Sequence, residues 1–276
     1  MILFHDVDGC LNGTDGNPLG FTEETLSVEH ATELANLGEL LDLSDVEHFI
    51  INTGRTWYDT EYLCNAINSR KARYALVEHG SSLWDIQSGQ QIDLVTLSKK
   101  LGLEHASAAL ATIERVQELI IWFRSGGNNL LANIIDARKP LLLHGNQSGN
   151  LTIPVPEGKD GDAVMAAFEK IIQEQPEFAE DSFTYHHSRS DGFIDVMGTV
   201  DKGLGVELTI EYLDYDPSKT VAIGNGLNDL SMLSKVALPI CPENAEPLVK
   251  NMCKDSGISS EHRFIEATRA WLSTRI

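Results

Sequence analysis

Asp6-Val7-Asp8-Gly9 sets two carboxylates two residues apart, directly after the apolar run Met1-Ile2-Leu3-Phe4. One carboxylate can attack phosphorus and carry a phosphoryl group covalently. Its neighbour can hand a proton to the leaving oxygen and later take one from water. Gly9 lets the chain turn tightly, so that backbone N–H groups can face an anion. Taken alone, the pattern also suits a surface turn, since Asp and Gly are ordinary turn residues. A calcium loop of the EF-hand kind is excluded: it needs Glu at its twelfth position, and counting from Asp6 reaches Asn17.

Three further segments offer the groups that such a reaction needs. Thr53-Gly54-Arg55 pairs a hydroxyl with a glycine N–H, neutral donors suited to a phosphoryl oxygen. A helix N-cap explains Thr53 equally well, and Arg55 can serve either an anionic substrate or Asp59 one turn later. Lys202 follows Asp201 at a predicted helix start, where the helix dipole disfavours a cation. A local rule broken without visible compensation points to function, here holding a carboxylate and a phosphate together. In Gly224-Asn225-Gly226-Leu227-Asn228-Asp229, Asn225 offers an amide oxygen and Asp229 a carboxylate one turn on. Mg²⁺ takes hard oxygen ligands and keeps several waters, so few protein ligands suffice. Gly54, Arg55 and Asn228 are the substrate-binding candidates.

Three of these segments sit where an apolar strand stops. Met1–Phe4, Val46–Asn52 and Thr220–Ile223 read as buried parallel strands, and each runs straight into small or polar residues. Helical spacing intervenes at Glu23–Leu43, Lys202–Leu213 and Leu227–Leu233. The alternation predicts an α/β fold with a doubly wound parallel sheet, whose ligand crevice lies outside the carboxyl ends of the strands. The middle of the chain differs. Strand-like pieces at Tyr74–Val77, Gly149–Val155 and Phe193–Val196 flank predicted helices near Leu94–Arg124 and Asp162–Gln175. The expected division is a core of residues 1–80 and 196–276 with an inserted α+β domain at 81–195.

The four segments, in this order and on these strand ends, resemble the haloacid dehalogenase superfamily, whose motifs are D-x-D-G, a strand-ending Thr, a Lys and G-D/N-x-x-N-D-x-x-M-L. The resemblance implies Asp6 as nucleophile, Asp8 as general acid/base, and Thr53 and Lys202 as phosphate ligands. It also implies Mg²⁺ held by the Asp6 side chain, the Asp8 main-chain carbonyl and residue 225, with Asp229 in support. The long interval between Thr53 and Lys202 looks like the branch with a mixed α/β cap, which includes Cof-like phosphatases, sucrose-phosphate phosphatase and mannosyl-3-phosphoglycerate phosphatase. A Rossmann-like core with a cap, acting on a small phosphorylated metabolite, is what that implies. A phosphosugar mutase on the same scaffold and a non-catalytic sugar-phosphate sensor are the alternatives. One departure stands out: the family usually has Asp where this chain has Asn225, which predicts a higher Mg²⁺ requirement. Asn225-Gly226 is also a pair prone to deamidation.

Composition narrows the partners. The 276 residues carry a net charge of −20, which argues against nucleic acid, because a phosphate backbone needs a basic surface. An acidic protein must also supply local positive charge to any phosphate it binds. No apolar run approaches the roughly 20 residues of a membrane span, and the start of the chain does not read as a secretory signal. Cys10, Cys64, Cys241 and Cys253 show no C-x-x-C pairing and read as free thiols, fitting a cytoplasmic protein. Glu78-His79-Gly80-Ser81, Arg124 and His186–Asp191 are weaker polar candidates, better read as solvated loops.

Overall fold

The computed structural model describes residues 1–11, 26–143, 149–188 and 192–276. They form two compact units, residues 1–103 with 201–276, and residues 104–200.

The larger unit is built on an eight-stranded sheet whose strands lie in the spatial order Ile258–Ser259, Leu238–Cys241, Thr220–Ile223, Ile2–His5, His48–Asn52, Ala72–Val77, Ser82–Asp85 and Gln90–Ile92. Its central strand β1 (Ile2–His5) is fully buried, as an unbroken apolar run predicts for a strand covered on both faces. Helix α1 (Val28–Leu43) starts later than its periodicity suggested, because Ser27 caps it by accepting from His30 N. The predicted first turn from Glu23 falls partly outside the described residues. Strand β2 (His48–Asn52) is followed by α2 (Trp57–Ile67) and β3 (Ala72–Val77). Strands β1, β2 and β3 pair in parallel.

Beyond β3 the sheet turns antiparallel through β4 (Ser82–Asp85) and β5 (Gln90–Ile92). Leu83 pairs with both Leu76 and Ile92, and Trp84 stacks on Trp57 with ring centroids 4.7 Å apart. These contacts tie residues 81–103 to the larger unit, so the inserted unit begins at 104 and ends at 200 rather than spanning 81–195. The helix expected over Leu94–Arg124 is two helices, α3 (Leu94–Lys100) and α4 (Glu104–Trp122). Gly102 at φ +70° breaks them.

In the smaller unit, α4 leads through a Phe123–Gly127 turn to α5 (Asn128–Ile134). Strand β6 (Asn150–Pro154), helix α6 (Gly161–Gln173) and strands β7 (Thr184–Ser188) and β8 (Phe193–Met197) follow. The strands form an antiparallel sheet in the order β6-β8-β7. Period-two alternation sends Leu151, Ile153, Ile194 and Val196 into a core with Val116, Leu119, Phe123 and Phe168. The alternate residues Asn150, Thr152 and Asp195 bond to one another.

The chain returns to the larger unit with α7 (Lys202–Tyr212), β9 (Thr220–Ile223), α8 (Leu230–Ser234) and β10 (Leu238–Cys241). It ends with α9 (Pro247–Ser256), β11 (Ile258–Ser259) and α10 (Phe264–Ser273). Helix α8 is shorter than the predicted Leu227–Leu233, because Leu227–Asp229 is a 3₁₀ turn. All four cysteines are free and buried. Among the described residues no helix is long and apolar enough to cross a membrane.

Candidate active site

Strand β1 lies between β2 and β9, with His5 in register with both Ile51 and Ile223. The strand order reverses direction at β1, the switch point where α/β sheets bind ligands. Asp6, Thr53 and Gly224 therefore leave the sheet at one rim. Asp6 N donates to Ile223 O at 3.0 Å and Thr53 N to Leu76 O at 3.0 Å, so hydrogen bonds of the sheet carry both residues to the edge.

Lys202 is the first residue of α7, with Asp201 capping the helix by accepting from Leu204 N. Its Nζ donates to Asp6 Oδ1 at 2.6 Å and to Asp229 Oδ1 at 2.5 Å. The dipole cost of a cation there is about 0.3–1 kcal/mol, small beside the attraction of two buried carboxylates. Lys202 is 1% exposed and Asp229 fully buried, so the solvated-lysine reading fails. Burial opposes the Lys202 charge, but Asp229 and Asp6 outweigh it and hold its pKa above the ordinary value. Asp6 goes the other way. Burial, then the charge of Asp229, lifts its pKa to about 8 against the pull of Lys202. Two carboxylates share one lysine, and the grouping is short of positive charge.

Asp229 has both oxygens engaged: Oδ1 by Lys202, Oδ2 by the N–H groups of Asn225 and Gly226 at 2.9 Å each. It shapes the turn and orients the lysine. Asn228 stands in the same turn, its Oδ1 close against Gly226.

Asp8 is paired with Arg55 in a bidentate ion pair, Nε to Oδ2 at 2.8 Å and Nη2 to Oδ1 at 2.7 Å. The alternative pairing of Arg55 with Asp59 does not form, because Thr56 donates to Asp59 Oδ2 and caps α2. Thr56 thus takes the capping role, leaving the buried Thr53 free of it. Thr53 Oγ1 accepts from Arg55 N at 3.2 Å.

The Asn225 carboxamide donates from its nitrogen to Asp6 Oδ2 at 3.1 Å and to the Asp8 carbonyl at 2.7 Å. Among the described residues no three His, Cys, Asp or Glu side chains gather as a metal site. This corner instead combines one carboxylate, one main-chain carbonyl and one carboxamide. With its oxygen turned inward the carboxamide completes three hard oxygen donors, a set of the kind that Mg²⁺ takes. The donor set fits Mg²⁺. Gly9 turns at φ +80°, and a Cβ there would lie 2.3 Å from the Asn225 carboxamide.

Some supporting residues were not apparent from the motifs. His5 places Nδ1 2.5 Å from the Asp6 carbonyl and Nε2 2.6 Å from Thr268 Oγ1. Burial lowers its pKa to about 4, so it is neutral, and the carbonyl acceptor requires the proton on Nδ1. Asn244 links Gly9 O to Phe264 N. Asn52 Nδ2 holds Lys202 O. Glu78, His79 and Gly80 all adopt positive φ, and Glu78 and His79 donate backbone N–H bonds to Arg55 O and Thr53 O. The His79 ring lies directly on Gly54, and Gly80 packs against Asp201. This buried turn is therefore a brace, not the solvated loop expected. Arg124, His186 and His187 belong to the smaller unit, where His187 Nδ1 meets Asp162 at 2.7 Å. Arg189–Asp191 lie outside the described residues.

A rim nucleophile candidate on a lysine, in a doubly wound sheet with an inserted α+β unit, defines a hydrolase of the haloacid dehalogenase type. The profile of haloacid dehalogenase-like hydrolases matches residues 4–262, and the chain belongs to that family. A Metamycoplasma hominis protein named as a phosphatase is 43% identical over 53 residues, 19% of each chain, so the match spans about a fifth of that relative's length. A Streptococcus pyogenes serotype M6 protein, also named as a phosphatase, is 25% identical over 244 residues, covering 82% of this chain and 86% of its own. The sucrose-phosphatase of Synechocystis, solved with sucrose and phosphate, aligns with a TM-score of 0.63 at 14% identity. It covers 99% of this chain and 97% of that one, a likeness of fold.

Proposed function

We propose that this hydrolase removes the phosphoryl group from a small phosphorylated metabolite, a sugar phosphate or glycosyl-phosphoglycerate, through an aspartyl-phosphate on Asp6. The chain is a phosphatase in this reading, as its named relatives are. The observation that carries it is the buried Lys202 bridging Asp6 and Asp229 at the strand rim. A carboxylate fixed by a lysine at the strand rim is held in place for attack on phosphorus.

A carboxylate oxygen of Asp6 forms the new P–O bond as the bond to the leaving oxygen breaks, and Asp8 protonates that oxygen. Asp8 then takes a proton from water, which attacks phosphorus and frees Asp6 and inorganic phosphate. Paired bidentately, Asp8 is held as the carboxylate. Arg55 must let go before Asp8 can act as an acid, and an arriving anionic group gives it another partner, which supports Arg55 as substrate-binding. Thr53, Gly54 and Asn228 offer hydrogen bonds to the phosphoryl group. Asp6, the Asp8 carbonyl and Asn225 would hold Mg²⁺, with Asp229 behind them. The bound ion supplies positive charge to the phosphoryl oxygens and favours ionised Asp6.

Residues 104–200 correspond in this reading to the family's cap domain. The net charge of −20 supports a small-molecule partner over nucleic acid, and free buried cysteines support a cytoplasmic location. Purified protein with Mg²⁺ should hydrolyse p-nitrophenyl phosphate, Asp6→Asn should not, and phosphorylated sugars and glycerates should then rank the substrates. Wild-type activity that survives in Asp6→Asn would overturn the reading.

A further inference from the structure

Asn225 follows β9 at the centre of the rim, and its carboxamide NH₂, which carries two protons, donates to two acceptors, Asp6 Oδ2 at 3.1 Å and the Asp8 carbonyl at 2.7 Å. A half-turn of the carboxamide puts its oxygen there instead. A carbonyl has no proton to give, so that oxygen would repel both acceptors unless a cation stands among them. The backbone need not move, because Asn225 N and Gly226 N are both fixed by Asp229 Oδ2. An aspartate has no such second setting. It presents oxygen either way round, and it would add a third carboxylate to a grouping with one lysine.

We propose that the Asn225 carboxamide is a two-setting element of the cation corner. With NH₂ inward it closes the corner in the metal-free protein by bonding Asp6 and the Asp8 carbonyl. With Oδ1 inward it serves as a neutral ligand to a divalent cation. The identity of the corner as a cation site rests on the phosphatase reading. Cation entry displaces two internal hydrogen bonds, so affinity is lowered by this chain's own side chain. In return, the metal-free protein keeps these oxygens satisfied.

The test is direct Mn²⁺ binding to chelator-stripped full-length protein, read by calorimetry or by the resonance signal of free Mn²⁺. Asn225→Asp should bind Mn²⁺ at least about tenfold more tightly than wild type. Its melting temperature should fall below wild type in chelator and gain more on adding Mn²⁺. Equal affinities and equal thermal gains overturn the proposal. If Asn225→Asp does not fold, asparagine-labelled wild type decides by nuclear magnetic resonance. The side-chain NH₂ pair missing in Asn225→Ser should exchange slowly without metal and lose that protection with Mg²⁺. A pair indifferent to Mg²⁺ overturns the proposal. Neither measurement needs turnover, so a protein inactive on p-nitrophenyl phosphate that still shows the Mn²⁺ difference would sink the phosphatase reading alone.

Discussion

Two ion-paired groupings stand on the same sheet rim, and burial separates their roles. In the first, Lys202, Asp229 and Asp6 have side chains 1%, 0% and 6% exposed. In the second, Arg55 and Asp8 are 12% and 37% exposed. Charges in the first have no water to fall back on, so removing the one lysine strands two buried carboxylates, at about 3–5 kcal/mol. The second is part-buried, and Asp8 reaches water, so opening it costs less. The buried grouping is suited to hold a nucleophile still. The part-buried one is suited to exchange partners during a reaction.

The strongest way to break this contrast is Lys202→Met. Loss of the buried cation should lower stability by about 3–5 kcal/mol and turnover by on the order of 10³-fold or more. Denaturant melts and p-nitrophenyl phosphate kinetics read the two effects. Adding Asp229→Asn should restore much of the stability and none of the rate. A Lys202→Met protein as stable as wild type would mean that Lys202, Asp229 and Asp6 are not a closed unit.

Asp6→Asn separates chemistry from stability. It should abolish turnover while leaving the metal-free protein as stable as wild type or more so at neutral pH. The sign follows from Asp6, whose pKa rises from an ordinary 3.8 to about 8 on folding. Its contribution is fully present below pH 3.8 and is lost as pH rises toward about 8. His5 works the opposite way. Its pKa falls from 6.5 to about 4, so its contribution is present above pH 6.5 and lost as pH falls toward about 4. In chelator, wild-type stability should decline from about pH 6.5 to about 8, and Asp6→Asn should flatten that decline. An equally steep decline in both proteins would refute the assignment to Asp6.

The buried grouping was the more legible of the two in the amino-acid order. Apolar runs ending in Asp6 and Gly224 announce buried parallel strands, and Lys202 at a helix start breaks a local rule that only a buried partner explains. What pairs with what was less legible. Asp59 and Asp8 are equal partners for Arg55 until the sheet brings Asp8 near and Thr56 takes Asp59. The Glu78–Gly80 turn reads as solvated because nothing local shows that Gly80 meets Asp201 across a long separation. Strands β4 and β5 were missed since their polar and short segments make sense only against β3 and Trp57. Local pattern finds the strand ends; long-range pairing decides the loops.

A gentler perturbation falls on the part-buried pair. Arg55→Ala should cost less stability than Lys202→Met, about 1–3 kcal/mol, while lowering kcat/KM by roughly 10–100-fold, through lost binding of the arriving anion. Arg55→Lys should not restore the rate, since an ammonium cannot make the bidentate fork. A stability loss as large as that of Lys202→Met would erase the distinction between the two groupings.

The smallest effect concerns Asn225-Gly226, a dipeptide that deamidates readily when its backbone is free. The reaction needs the Gly226 nitrogen to attack the Asn225 side-chain carbon. That nitrogen donates to Asp229 Oδ2 at 2.9 Å, inside the buried grouping. Folded protein held for days at pH 8 should therefore retain the amide, while denatured protein should lose it; peptide mass measurement follows both. Asp229→Asn, which keeps an acceptor but loses the charge, should deamidate faster than wild type and slower than the denatured chain. Deamidation as fast in the native protein as in the denatured one would show that Asp229 does not hold the turn. The fixed backbone on which the side-chain half-turn depends would then be lost as well.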